Sequence, residues 1–169
     1  FSGLSAMNVH SFNDIEGLRI AAEMERRGGE YYRRAAKLSH SPEAVDMLLF
    51  LAEDEARHLA EFEKLARRVA QERPDAPEYD ADTNAYLSAI AAEIVFPGGL
   101  MALGAKHGFD SPQAILEGAI ESEKDSILFY SALASATQDE NSRAVFREIE
   151  RQERGHLNQL TQMLARIDA

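Results

Sequence analysis

Two segments decide the fold: LAEDEARHLAEF at residues 51–62 and IERQERGHLNQL at residues 149–160. Each contains a Glu-x-x-His motif, formed by Glu55 with His58 and by Glu153 with His156. Residues three apart on an α-helix project from the same side, so a carboxylate and an imidazole at this spacing can bind one metal ion together. One such motif arises easily by chance in a glutamate-rich chain, and what the two motifs share is therefore more informative.

The two motifs belong to an internal repeat. A shift of 98 residues superimposes residues 15–69 on residues 113–167 without a gap. The shift pairs Glu25 with Glu123 and Tyr32 with Tyr130, and it also pairs the apolar positions Leu18/Leu116, Ala21/Ala119, Ala36/Ala134 and Leu59/Leu157. Each motif glutamate therefore has a second glutamate 30 residues upstream, at the same place in its half of the chain.

Apolar residues recur at helical spacing in four long stretches, over about residues 13–38, 42–70, 111–136 and 139–168. Ser41-Pro42 and Ser111-Pro112 mark helix starts, because serine caps the first free N–H groups and proline lacks the N–H that the first turn leaves unpaired. The last stretch carries Leu164 and Ile167 on its apolar face. Short connections within each pair of stretches predict two antiparallel hairpins.

Residues 71–110 join the hairpins, with a breaker at residues 73–77 and a short helix predicted near residues 83–95. A connection of this length can run along a whole bundle. We therefore predict an all-α fold with one domain over residues 1–169, a four-helix bundle of two antiparallel hairpins joined by a long crossover. The crossover would also let two protomers exchange hairpins, and we expect a homodimer, with domain swapping as an alternative.

Six residues form the candidate metal site. Glu25 and Glu123 stand in the apolar stripes of their helices, where an unpaired carboxylate would be costly. A single glutamate could instead pair with Arg27 or Arg57, but four carboxylates and two imidazoles carry more negative charge than nearby basic side chains offset. Two divalent cations would balance it, and oxygen and nitrogen ligands suit iron, manganese or zinc. The predicted ligands are Glu25, Glu55, His58, Glu123, Glu153 and His156.

The composition excludes several kinds of site and partner. The 169 residues contain no cysteine, which rules out disulfides, thiolate zinc sites and iron–sulfur clusters within them. A net charge of −11 argues against nucleic acid or an anionic membrane as the main partner. No apolar run reaches the roughly 20 residues that span a bilayer. We expect a cytoplasmic protein with neither nucleic-acid nor membrane partners.

These motifs resemble those of the di-iron ferritin-like superfamily, and the sequence around Glu25 to Tyr32 and Glu123 to Tyr130 is most similar to its rubrerythrin branch. The resemblance covers both hairpins and implies a ferritin-like bundle with a carboxylate-bridged di-iron site. It implies that Glu25 and Glu123 are ligands from the first and third long helices. In the same way, Glu55 and Glu153 would bridge or chelate the metals, and His58 and His156 would each bind one metal. Tyr32 and Tyr130 match catalytic-site tyrosines that hydrogen-bond to the ligand carboxylates.

The chain departs from rubrerythrin proper in two ways. It has no four-cysteine rubredoxin module to deliver electrons, and Ile120 and Ser126 stand where a further glutamate would lie one turn from Glu123. We therefore expect an oxidoreductase that oxidises ferrous iron with oxygen or peroxide, or that reduces peroxide with electrons from a separate donor protein. The alternatives are a metal-binding or storage protein for iron, zinc or manganese without turnover, and a helical interaction module.

Gly28 and Gly29 lie one turn beyond Glu25 and are unusual inside a helix, since each glycine costs about 1 kcal/mol relative to alanine. They either leave room beside the site for an oxidant or allow close helix packing.

Overall fold

The computed structural model describes residues 11–95 and 108–168. Within these residues the chain has no strand and forms five helices: α1 (Asp14–Leu38), α2 (Pro42–Glu72), α3 (Ala81–Val95), α4 (Pro112–Ala136) and α5 (Glu140–Asp168). α1 packs along α2 and α4 packs along α5, as two antiparallel hairpins. The all-α bundle predicted from the sequence is confirmed, while residues 96–107 of the predicted crossover lie outside the described residues.

Side-chain caps set where the helices begin. The Ser111 hydroxyl accepts a hydrogen bond from the Ala114 N–H at 3.0 Å, as its place before a proline predicts. The side chains of Asn13 and Asp139 cap α1 and α5 in the same way. Asp80 accepts from the Thr83 N–H at 2.9 Å, so that α3 begins at Ala81, two residues before the expected start.

In the part of the chain that the structure describes, the core consists of two hydrophobic clusters, one toward each end of the bundle. One cluster is built around Phe62, Phe129 and Phe146, and the other around Leu51, Leu116 and Leu160. Along each of the four long helices, the candidate ligands fall between the residues of the first cluster and those of the second. The bundle therefore encloses a polar layer between two apolar ones.

Gly17 marks the close approach of α1 and α4, because a Cβ there would lie 2.7 Å from Cδ2 of Leu133. One core prediction is wrong. Ile167 is 44% exposed, since it lies in the last turn of α5 beside the open cavity at the α1–α2 turn. None of the helices in the described ranges has an apolar stretch long enough to cross a membrane.

Candidate metal centre

The six predicted ligand residues converge in the polar layer. Glu25 comes from α1, Glu123 from α4, and the two Glu-x-x-His motifs from α2 and α5. All six side chains are buried, and Glu153 is only 1% exposed. Four helices of one chain therefore supply four carboxylates and two imidazoles to one water-poor space.

The ligand atoms fall into two overlapping groups within the described part of the chain. One group contains Glu25, Glu55, His58 and Glu153, and the other contains Glu55, Glu123, Glu153 and His156. In each group, one ligand atom per residue lies within 4.8 Å of all the others. Glu55 and Glu153 belong to both groups, which is the arrangement required of carboxylates that bridge two ions.

Both imidazoles direct Nδ1 into the cluster. His58 Nδ1 lies 3.0 Å from Glu153 Oε1 and 3.5 Å from Glu25 Oε2. His156 Nδ1 lies 2.9 Å from Glu153 Oε2 and 3.5 Å from Glu123 Oε1. The two rings are stacked, with centroids 5.8 Å apart. Each histidine is therefore placed to bind a different cation through the same ring nitrogen.

Tyr32 and Tyr130 connect the two hairpins at this layer. The Tyr130 hydroxyl, on α4, donates to Oε1 of Glu25 on α1 at 2.6 Å. The Tyr32 hydroxyl, on α1, donates to Oε1 of Glu123 on α4. Both tyrosines are buried, and each orients the carboxylate of the opposite hairpin.

Two residues that contact the histidines were missed by the sequence analysis. His156 Nε2 lies 2.8 Å from Oδ2 of Asp54, and His58 Nε2 lies 2.8 Å from Oε1 of Gln152. The repeat does carry a signal for them, because the 98-residue shift pairs Asp54 with Gln152, each directly before a motif glutamate. Because the two side chains differ in type, identity between the two halves of the chain does not reveal them.

Burial and mutual repulsion shift the acidity of the cluster. Burial raises the pKa of Glu25 well above its usual value, and the charge of Glu55 adds to the shift. Burial and the charge of Glu153 raise the pKa of Glu123 to about 8. Burial acts to lower the pKa of His58, but hydrogen bonds to the surrounding glutamates, Glu153 first, outweigh it and raise that pKa. Protons therefore compete with cations for this cluster.

The residues present fit a metal better than they fit ion pairing alone. Arg27 Nε contacts Glu23 at 2.8 Å, and the Arg57 guanidinium contacts Asp54, so each has an acidic partner that is not one of the six. Glu123 Oε2 is buried and has no hydrogen-bond partner. A buried carboxylate oxygen without a partner is costly, and coordination of a cation would satisfy it.

The surroundings offer space beside the site. A groove of about 680 Å³ between α2 and α5 reaches His58 and is lined by Asp54, Arg57, Glu61, Glu148 and Gln152 among others. Gly28 lies on α1, the helix that packs along α2. A Cβ added at Gly28 would be 3.8 Å from Cγ and Cδ of Glu55. A larger cavity of about 820 Å³, beside the α1–α2 turn, has none of the six ligand residues in its lining.

Comparisons with known proteins agree with this geometry. The family model described as Rubrerythrin matches residues 16–164. A crystal structure from Thermotoga maritima, described as a ferritin-like diiron-carboxylate protein, superimposes with a TM-score of 0.65 at 22% sequence identity. The alignment covers 92% of this chain and 97% of that one, so the two share a fold. No curated protein matches the chain significantly.

Proposed function

The chain belongs to the rubrerythrin family, and on this premise we propose that it is a di-iron oxidoreductase that oxidises ferrous iron, reduces peroxide, or does both. The proposed ligands are Glu25, Glu55, His58, Glu123, Glu153 and His156. The observation that carries the proposal is the pair of overlapping ligand groups that share Glu55 and Glu153. Two divalent cations held by these groups would balance the four carboxylates, and mixed oxygen and nitrogen ligands suit iron.

The chemistry needs two electrons. When bound in the ferrous form, the two ions supply one electron each, and with two protons these reduce one peroxide to two waters. The protein's part is to hold the glutamates in place, which the hydroxyls of Tyr32 and Tyr130 do from the opposite hairpins. The hydrophobic clusters above and below the layer keep bulk water away.

The composition of the chain bears on the source of the electrons. A chain segment without cysteine cannot hold a rubredoxin-type centre, so we propose that either ferrous iron itself or a separate donor protein supplies them. The groove between α2 and α5 is the proposed approach for small substrates, because it ends against His58 and has acidic side chains at Glu61 and Glu148. The lining carries three carboxylates, Asp54, Glu61 and Glu148, against one arginine, Arg57, and this balance favours a ferrous substrate over an anionic one.

An anaerobic reaction tests this proposal. The purified chain is loaded with two ferrous ions, mixed with one equivalent of peroxide, and followed by its near-ultraviolet absorption and by Mössbauer spectroscopy. We expect both ions to become ferric faster than the same iron free in buffer. Iron that stays bound and ferrous would support the second candidate, a storage or metal-binding protein without turnover. The homodimer and the cytoplasmic location remain predictions, the first of which light scattering would check.

A further inference from the structure

Beside the metal centre, one pair of residues that the repeat makes equivalent differs in chemical type. Asp54 on α2 and Gln152 on α5 occupy equivalent positions under the 98-residue shift, and each contacts the histidine of the opposite motif. The two contacts have the same length, 2.8 Å from histidine Nε2 to a side-chain oxygen. The geometry is therefore symmetric, but one oxygen belongs to a carboxylate and the other to a neutral amide.

The orientation of the Gln152 amide is set by a third residue. Its Nε2 donates to Oε1 of Glu148 at 2.8 Å. Because a carboxylate only accepts hydrogen bonds, the NH₂ group must face Glu148 and the amide oxygen must face His58. Both histidines thus direct Nδ1 at the glutamates and present Nε2 to an acceptor outside the cluster.

The two acceptors differ in what they do to the ring. An imidazole that binds a cation through Nδ1 carries its proton on Nε2 and donates it outward. A carboxylate acceptor makes the ring a more basic ligand than an amide acceptor does, and outer partners of this kind commonly change metal affinity by roughly 10- to 100-fold. Arg57 also contacts Asp54, but its side chain is 70% exposed and its charge is screened by water.

We infer that the two metal positions are unequal, and that the position formed by Glu55, Glu123, Glu153 and His156 binds its ion more tightly and fills first. Asp54 is the positioning residue that makes the difference, and Gln152 weakens the other position. This inference rests on the proposed function. It assigns an order of filling to a site whose ligands alone are symmetric.

Titration of the metal-free chain with Co²⁺ under anaerobic conditions tests the inference by calorimetry. The wild type should bind two ions in two steps whose dissociation constants differ by roughly 10- to 100-fold. Gln152→Glu keeps the shape of the side chain and gives up only the hydrogen bond to Glu148, an exposed residue that stays paired with Arg151. This variant should lower the dissociation constant of the weaker step and bring the two dissociation constants closer together. Asp54→Asn should raise the dissociation constant of the tighter step. Gln159→Glu makes the same charge change at an exposed position of α5 and should leave the gap unchanged.

A second measurement identifies which position fills first. With one equivalent of Co²⁺, the ring N–H of the coordinated histidine gives a strongly shifted proton resonance. We expect the His156 resonance to appear first in the wild type, and the His58 resonance first in Asp54→Asn/Gln152→Glu. Two equal steps in the wild type, or a gap unmoved by Gln152→Glu, would overturn the inference alone. Failure of the wild type to bind two ions would overturn both the inference and the proposed function.

Discussion

The hydroxyl of Tyr130 lies 2.6 Å from Oε1 of Glu25, and this hydrogen bond crosses from one hairpin to the other. The repeat places Tyr32 and Glu123 in the same relationship in the opposite direction. Each half of the chain therefore holds a carboxylate that belongs to the other half. The contact ties the assembly of the bundle to the geometry of the metal centre.

Tyr130→Phe should weaken metal binding while preserving the fold. The phenylalanine ring still fills the buried position of Tyr130. Because one hydrogen bond is lost, we expect the free energy of unfolding to fall by about 1 kcal/mol. Glu25 loses the donor that orients it, so the affinity for the ion nearest Glu25 should fall. Tyr31→Phe is the matched control, because Tyr31 donates to the Ile115 carbonyl at 2.7 Å, outside the ligand set. Equal metal affinities in the two variants, by calorimetry, would contradict the role given to Tyr130.

Glu123→Ala should lose metal and leave the bundle folded. The substitution removes a carboxylate that is buried beside Glu153. In the wild type, one oxygen of this carboxylate has no hydrogen-bond partner. Circular dichroism should show an unchanged helix content, while metal analysis shows fewer than two ions per chain. Glu121→Ala, on the same helix two residues away, should keep both ions. Retention of two ions by Glu123→Ala would show that the ligand assignment is wrong.

The metal-free protein should become less stable as the pH rises. In the folded state the pKa of Glu123 is raised to about 8 from an ordinary value of 4.5, so folding favours its protonated form. Its contribution to stability is present below pH 4.5 and is lost as the pH rises through about 8. The raised pKa values of Glu25 and His58 act in the same direction. The temperature of the unfolding midpoint should therefore decrease as the pH is raised from 5 to 8.

Metal binding should show the opposite pH dependence, because protons leave the cluster when a cation enters. Affinity should rise over the same pH range, and the calorimetric enthalpy should depend on the ionisation enthalpy of the buffer. Glu123→Gln removes one of the titrating groups. The unfolding temperature of the metal-free variant should therefore decrease less steeply with pH than that of the wild type. A midpoint that rises with pH in the metal-free wild type would contradict this account of the cluster.

The sequence was sufficient for the all-α bundle and for the six residues that converge in the polar layer, because both depend on spacing. Helical periodicity and the Ser-Pro pairs predict four helices, and a constant shift between the halves selects Glu25 with Glu123. The contact of Asp54 with His156 could not be read in this way, since it joins α2 to α5 and depends on how the helices face each other. Exposure at helix ends, as at Ile167, likewise depends on where the neighbouring helices stop.

Gly28→Ala should stabilise the protein, and it should slow the reaction with peroxide because the new methyl group takes up space beside the proposed ligand Glu55. The new methyl group would sit 3.8 Å from Glu55 without a clash, and the helix should gain about 0.5 to 1 kcal/mol. Gly29→Ala makes the same change where the nearest atoms belong to the guanidinium of Arg33. It should therefore leave the peroxide rate unchanged. An unchanged rate of reaction with peroxide in Gly28→Ala would show that Gly28 serves helix packing only.

The most direct test of the account is the metal content of the chain after production in iron-replete medium. Inductively coupled plasma analysis of the purified protein, with the chain concentration from amino-acid analysis, gives the number of ions per chain. The two ligand groups that share Glu55 and Glu153 predict two ions per chain. The proposed function predicts that iron is the main metal. Less than one metal ion per chain would contradict the claim that this cluster is a di-metal centre.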